Sequence, residues 1–369
     1  MHKGPIYYLL FPLSLLYGLV VAVRNWLYDR EILPSKEHDI PVICVGNLAV
    51  GGTGKTSHTE YLIGALKPHF RVAVLSRGYR RKSRGFRIVS ANDSVAVAGD
   101  EPLQIALKFN DITVAVDSDR NNGISEIMRQ RPDTEVIIMD DGFQHRSVTP
   151  GRSIILTEYS NLYINDTLLP AGRLREHSSG SRRADFILIT KSPASVNPME
   201  MRIIAKNIDK YPYQNIYFTA LKYGAPLPVF PGSAKTVKSE EEMKEKQCYL
   251  ITGIANPAPL IEYLGGLTDR TVHFRYADHH DFTDGEVSEI MKKIATDSAQ
   301  DYAIITTEKD AVRLRMLTGQ PVEFIDRLCY IPVEAAFLNG DEEEFKNHII
   351  SYVRKNKGNN RVSGIEGVR

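Results

Sequence analysis

The chain has 369 residues, enough for two domains or one large domain with an appendage. It is 43% hydrophobic and 25% charged, a balance that excludes disordered and fibrous classes. Lys plus Arg number 46 against 45 Asp plus Glu, a net charge of +1, so nucleic acid is not expected as a partner. The three cysteines, Cys44, Cys248 and Cys329, are too far apart for a disulfide framework or a zinc site, which suits a reducing cytoplasm.

From Pro5 to Val23 no residue carries a formal charge. As a helix this stretch would be about 28 Å long, barely the hydrocarbon thickness of a bilayer. Pro12 and Gly18 interrupt it. Tyr7, Tyr8 and Tyr17 favour the headgroup boundary, and Arg24, Trp26 and Arg30 follow. A helix lying in or dipping into the membrane face is the favoured reading, with a true span and a buried core helix as alternatives. A cleaved signal peptide would need an A-x-A-like site, which is not present. Residues 1–30 are thus expected to form a membrane-associated helix.

Ile40–Val45 reads as a buried strand, and Ser57–Leu66 has helical periodicity. Between them Ala49-Val50-Gly51-Gly52-Thr53-Gly54-Lys55-Thr56 follows the Walker A pattern, with Ala in place of the first Gly. Glycines let successive backbone N–H groups turn towards a phosphate, and the next helix presents its positive end. Lys55 would reach the β- and γ-phosphates, and the Thr56 hydroxyl would bind Mg²⁺. These residues point to ATP and Mg²⁺ as cofactors.

Strands at Arg71–Leu75, Ile112–Val116, Val136–Met139, Ile154–Thr157 and Phe186–Thr190, with helices at Pro102–Phe109 and Asn122–Gln130, have the spacing of a doubly wound α/β fold. The strand at Val136 ends in Asp140 and Asp141, a Walker B-like carboxylate pair for the metal; spacing does not tell which of the two lies nearer to it. Pro and Gly punctuation places a linker at 223–246, after a P-loop domain at 31–222. Strands at Tyr249–Ile254 and Ala303–Thr306, each leading into a helix, form a smaller α/β domain at 247–335. A terminal helix at 336–354 could pack on the first domain, and 355–369 has no periodicity and is expected to be disordered.

The strings VGNLAVGGTGKT, SRGYRR (76–81), GDEP (99–102), DDGFQH (140–145), LPAGRLRE (169–176), TGIANP (252–257), DHHDF (278–282) and TTEKDAVRL (306–314) occur in this order. With them the chain resembles the tetraacyldisaccharide 4'-kinase (lipid A 4'-kinase) family over nearly its whole length. The resemblance implies γ-phosphate transfer from ATP to the 4'-hydroxyl of a tetraacyldisaccharide 1-phosphate, giving lipid IVA, at the cytoplasmic face of a bacterial inner membrane; the chain is expected to act as a monomer. It implies a P-loop NTPase-type, mostly parallel sheet with a second smaller α/β domain and an apolar N-terminal helix.

The resemblance also implies that Asp100 accepts the proton of the attacking hydroxyl and that His279, rather than His280, works with it. Read from its neighbours alone, Asp100 before Pro102 would be a helix cap. Arg175 and Glu176 are placed near the substrate, with Gln144 and His145. Here the chain departs from the family's pattern: Arg173 and His177 stand where a neutral residue or Pro is frequent, which puts the loop geometry in doubt. Arg77 and Arg80 belong to a run of five basic residues in eight, suited to an anionic glycolipid. The competing reading is a membrane-tethered P-loop ATPase switch acting on protein partners, which has no need of an acid–imidazole pair aimed at a hydroxyl.

Overall fold

The computed structural model describes residues 5–208, 210–233, 235–297 and 301–363. Helix α1 (Pro5–Asp29) precedes β1 (Val42–Asn47), the phosphate-loop segment and α2 (Lys55–Leu66). Then come β2 (Val72–Ser76), β3 (Arg87–Ile88), α3 (Val95–Ala98), α4 (Asp100–Lys108), β4 (Thr113–Val116), α5 (Arg120–Gln130), β5 (Val136–Asp140), β6 (Arg152–Glu158), β7 (Phe186–Thr190), α6 (Pro198–Ile208) and β8 (Asn215–Tyr223). A second group runs β9 (Leu227–Pro228), α7 (Glu240–Glu245), β10 (Gln247–Thr252), α8 (Ala258–Gly265), β11 (Thr271–Arg275), α9 (Asp284–Thr296), β12 (Tyr302–Thr307), α10 (Glu308–Leu314), α11 (Val322–Arg327) and β13 (Leu328–Ile331). The chain then returns through β14 (Val333–Phe337) and ends on α12 (Glu342–Ser363).

The first sheet has the order β14-β8-β7-β6-β1-β5-β2-β4-β3 and is parallel from β8 to β4. Only its edge strands, β14 and β3, are antiparallel. This is the expected doubly wound architecture. Strand β1 lies between β5 and β6 and is buried along its whole length, which is why Val42–Val45 reads as a continuous apolar run. Register pairs Val45 with Asp140, so the phosphate loop and the two aspartates leave the sheet at the same edge. Leu62, Ile63 and Leu66 of α2 and Phe345, Ile349 and Val353 of α12 share one core with β1. Each fully buried aliphatic side chain there contributes about 1.5–3 kcal/mol.

The second sheet has the order β11-β10-β12-β13-β9 and is parallel apart from β9. The two lobes meet where α4 faces α10. Lys108 of α4 bridges Glu60 of α2 at 2.6 Å and Glu308 of α10 at 2.9 Å.

Three expectations need correction. The segment expected as a linker is partly structured, since β9 pairs with β13 and α7 forms an amphipathic turn capped by Ser239. The boundary expected at 335 falls inside β14, which pairs with β8 and belongs to the first sheet. The tail expected to be disordered continues the terminal helix as far as Ser363, and at its start Asn356 donates to the Tyr352 carbonyl at 2.8 Å and Lys357 pairs with Glu135. Residues 364–369 of that tail, and 1–4 of the first helix, lie outside the described residues.

Candidate active site

The turn between β1 and α2 closes on its own hydrogen bonds. Gly54 takes φ +86°, a left-handed conformation that suits glycine and turns the loop into the helix. Asn47 donates to the Thr53 hydroxyl at 2.9 Å, and Thr190 donates to the Thr53 carbonyl at 2.9 Å. His58, buried one turn into α2, joins the Gly54 carbonyl (2.7 Å) to the Thr219 hydroxyl (2.9 Å). Burial pushes the His58 pKa down to about 4, so it is neutral. Thr56 opens α2 beside Lys55, whose ammonium lies 3.7 Å from Asp141.

The segment Leu169–Glu176 is stitched along this turn. Val50 N donates to the Arg173 carbonyl at 2.8 Å, and Arg175 N donates to the Leu48 carbonyl at 2.7 Å. The two unusual residues have definite places. Arg173 pairs with Asp166 at 3.0 Å, and His177 accepts from Ser179 N at 3.2 Å, capping the turn of helix that follows.

Asp140 is buried at the end of β5 and accepts from Thr59 (3.1 Å) and Ser76 (3.4 Å). Burial, with Glu101 and Asp141 nearby, pushes its pKa up to about 7. Asp141 sits at φ +46°; burial opposes its charge, but Lys55 and Arg175 outweigh this and hold its carboxyl below the usual range. Arg175 reaches both Asp141 oxygens at 3.3 Å and Gln144 Oε1 at 3.3 Å. Lys55, Asp140, Asp141, Gln144 and Arg175 are thus brought together. His145 is near them, and burial with the fields of Arg120 and Arg77 lowers its pKa to about 4.

Asp100 begins α4 and is buried, and His279 comes from the loop after β11 in the other lobe. His279 Nδ1 lies 2.7 Å from Asp100 Oδ2. Burial alone would raise the Asp100 carboxyl, but hydrogen bonds from His279 and Arg313 hold it down at about 2. Arg313 of α10 is also on Asp100, with Nε 3.2 Å from Oδ1 and Nη2 bonded to Oδ2. His280, the alternative histidine, is turned to Glu286 at 2.9 Å. Gly99 makes the close approach of this corner possible, since a side chain there would meet the Tyr79 carbonyl at 3.1 Å. Tyr79 in turn sits edge-on to the His279 ring at 5.8 Å, so the basic segment with Arg77 and Arg80 borders the pair. Arg80, Asp141 and His279 all adopt positive φ, a backbone strain that concentrates at functional sites.

Glu176 is not on the open face of its loop. Its side chain is fully buried and takes Arg183 (2.6 Å), Asn25 (3.0 Å) and Gln144 (3.2 Å). Through it the loop is fastened to α1, together with bonds from Tyr17 to the Arg175 carbonyl at 2.7 Å and from Ala171 N to Ser14 at 2.9 Å. Helix α1 buries little else, and Ile6, Leu9, Leu13, Leu16, Leu19 and Val20 are exposed.

Two residues of this corner were not singled out by sequence reasoning. Arg313 lies within TTEKDAVRL, but its partner is in the other lobe. Arg120 opens α5, is 1% exposed and has Nε and Nη2 without hydrogen-bond partners; burial drops its pKa to about 10 against the fields of Asp140 and Asp141. No local pattern marks an arginine as buried.

The sequence model of the family described as tetraacyldisaccharide-1-P 4'-kinase (LpxK) matches residues 6–354. The tetraacyldisaccharide 4'-kinase of Bacteroides thetaiotaomicron is 42% identical, covering 98% of this chain and 97% of the relative. That of Phocaeicola vulgatus is 46% identical, over 96% of this chain and 97% of its own. A crystal structure of LpxK from Aquifex aeolicus in complex with ATP superposes with a TM-score of 0.74 at 29% identity, over 94% of this chain and 99% of that one. The chain belongs to the tetraacyldisaccharide 4'-kinase family.

Proposed function

We propose that this ATP-dependent kinase of lipid A synthesis moves the γ-phosphate of ATP to the 4'-hydroxyl of tetraacyldisaccharide 1-phosphate, giving lipid IVA, by the division of labour that follows. Backbone amides from Gly51 to Thr56 and the start of α2 cradle the triphosphate. The Lys55 ammonium sits on the β- and γ-phosphate oxygens, leaving Asp141 as they take its charge. Asp100 receives the hydroxyl proton as the new O–P bond forms and the bond to ADP breaks, with His279 holding the carboxylate in place. Arg175, Arg77 and Arg80 meet the acceptor's negative charge, and Arg120, whose Nη1 is held by the Asp117 carbonyl while Nε and Nη2 are without partners, joins them. Gln144 and Glu176 hold the loop beneath.

The donor set suits Mg²⁺. Thr56, Asp140 and Asp141 offer hard oxygen ligands at the end of the phosphate turn, where Asp140 is buried with the Glu101 and Asp141 carboxylates nearby. Among the described residues no three His, Cys, Asp or Glu side chains cluster as a cage. Mg²⁺ bound largely by phosphate oxygens and water needs none. When bound, the ion neutralises charge between the β- and γ-phosphates.

Helix α1 is long and apolar enough to cross a membrane. With an apolar surface this large bare of protein, we place it in the cytoplasmic leaflet, on the side where Tyr17 touches the Arg175 loop. A lipid acceptor would then reach the site from the bilayer. Both halves of the site come from one chain, in keeping with a monomer.

The observation that carries the catalytic reading is the 2.7 Å contact between Asp100 and His279, which joins the two lobes beside the phosphate turn. A nucleotide switch has no use for it. With ATP and Mg²⁺, ADP should form only when the disaccharide acceptor is supplied. Turnover without acceptor, stimulated by a protein partner, would support the switch.

A further inference from the structure

Arg313 has surroundings that the scheme above leaves unused. Its guanidinium is 4% exposed. Within its own lobe Nη1 lies 3.5 Å from Asp310 Oδ1 and 3.4 Å from the His280 carbonyl. Asp310 is itself fixed by Gly253 N at 2.8 Å and the Thr307 hydroxyl at 2.7 Å. Arg313 is therefore rigid before it reaches across to α4.

There the fork takes both oxygens of Asp100. Nε donates to Oδ1 at 3.2 Å and Nη2 to Oδ2, the oxygen that His279 Nδ1 approaches at 2.7 Å, and Nη2 also lies 2.8 Å from that Nδ1. Lys309 Nζ lies 3.3 Å from His279 Nε2, so the ring is held on both of its nitrogens. An ionised carboxylate offers about four lone-pair sites. Oδ2 is flanked by both Arg313 Nη2 and His279 Nδ1, whereas Oδ1 has Arg313 Nε alone, so Oδ1 is the less occupied oxygen.

We propose that Arg313 is a positioning residue: it locks the Asp100 carboxylate against the second lobe in the one orientation that leaves Oδ1 to receive the acceptor hydroxyl's proton. This rests on the reading of Asp100 as the proton acceptor. A lysine carries the same charge but cannot hold two oxygens in a plane, so charge and geometry are separable.

The experiment uses the full-length protein in detergent with MgATP and the disaccharide acceptor, and compares Arg313→Gln, Arg313→Lys, Asp100→Asn and the Arg313→Gln/Asp100→Asn double variant. Arg313→Gln should lower kcat about 10²-fold, the usual consequence of misplacing a reacting group, with the KM for ATP within about threefold. Arg313→Lys should recover less than about a tenth of the wild-type kcat. In the Asp100→Asn background, Arg313→Gln should cost less than about threefold, because the group it orients is already disabled. If Arg313→Gln does not fold, Arg313→Lys carries the same kcat-against-KM test. A kcat within about threefold of wild type for Arg313→Gln overturns the proposal. So does full recovery in Arg313→Lys, or an undiminished loss in the double variant. Near-normal kcat in Asp100→Asn would instead remove the proton-acceptor reading, and this proposal with it.

Discussion

Truncating Glu176 to Ala separates a residue that holds the acceptor loop from one that touches the acceptor. The carboxylate is wholly buried against Arg183, itself 19% exposed, at 2.6 Å. Removing one partner of a fully buried ion pair costs about 3–5 kcal/mol, because the other charge is stranded. Arg183 keeps the Gly180 carbonyl at 3.3 Å and the Phe143 ring at 4.4 Å, which puts this pair at the low end of that range. Asn25 and Gln144 each lose a hydrogen bond, about 1 kcal/mol apiece. The first lobe should therefore lose about 5 kcal/mol of stability in urea unfolding followed by circular dichroism. Glu176→Gln, which keeps an acceptor oxygen but not the charge, should lose about half as much. A loss under about 1 kcal/mol for Glu176→Ala, together with a collapse of kcat, would refute the reasoning and put Glu176 in the chemistry.

Lys55→Ala should lower kcat about 10²–10³-fold, measured as acceptor-dependent ADP release, since it removes a cation from the transferring phosphate; near-normal kcat would deny the phosphate turn its role. His58 gives a pH signature. Its folded pKa of about 4 lies below the unfolded value of 6.5, so the unfolded chain binds the extra proton, and the stability from neutral His58 is full above pH 6.5 and lost as pH falls towards 4. Lowering the pH from 7.5 to 5 should cost about 2 kcal/mol more in the wild type than in His58→Gln, read from urea unfolding at both pH values. Leu16→Arg with Leu19→Arg, at positions 61% and 62% exposed, should leave the thermal unfolding of the lobes unchanged. It should reduce co-sedimentation with phospholipid vesicles at least about tenfold, because each arginine costs about 3 kcal/mol at the bilayer centre.

Local chemistry made part of this molecule readable in advance. The strand, glycine turn, Lys-Thr pair and helix from Val42 to Leu66 form one continuous piece of chain, as does β5 with Asp140 and Asp141. Phe186–Thr190 matches its expected limits because a fully buried parallel strand is apolar throughout. Strand β8 is different. Its partner β14 follows more than a hundred residues later, and neither strand's composition names the other. The terminal helix was cut short for a similar reason, since its polar end is held by Glu135 rather than by an apolar stripe. At the site, Asp100 read locally is only a helix cap; what distinguishes it is the imidazole 179 residues away and the guanidinium 213 residues away. Glu176 and Arg120 look like surface residues in the sequence, and only the packing of α1 and of the sheet edge buries them.

Locating the transferred phosphate is the most direct test. Full-length protein in detergent is given ATP labelled in the γ-phosphate, Mg²⁺ and tetraacyldisaccharide 1-phosphate, and the lipid product is fragmented in a mass spectrometer. The label should be found on the 4'-oxygen of the distal glucosamine, with one ADP formed per phosphate transferred. A label on any other hydroxyl, or release of free phosphate without lipid product, would contradict the assignment.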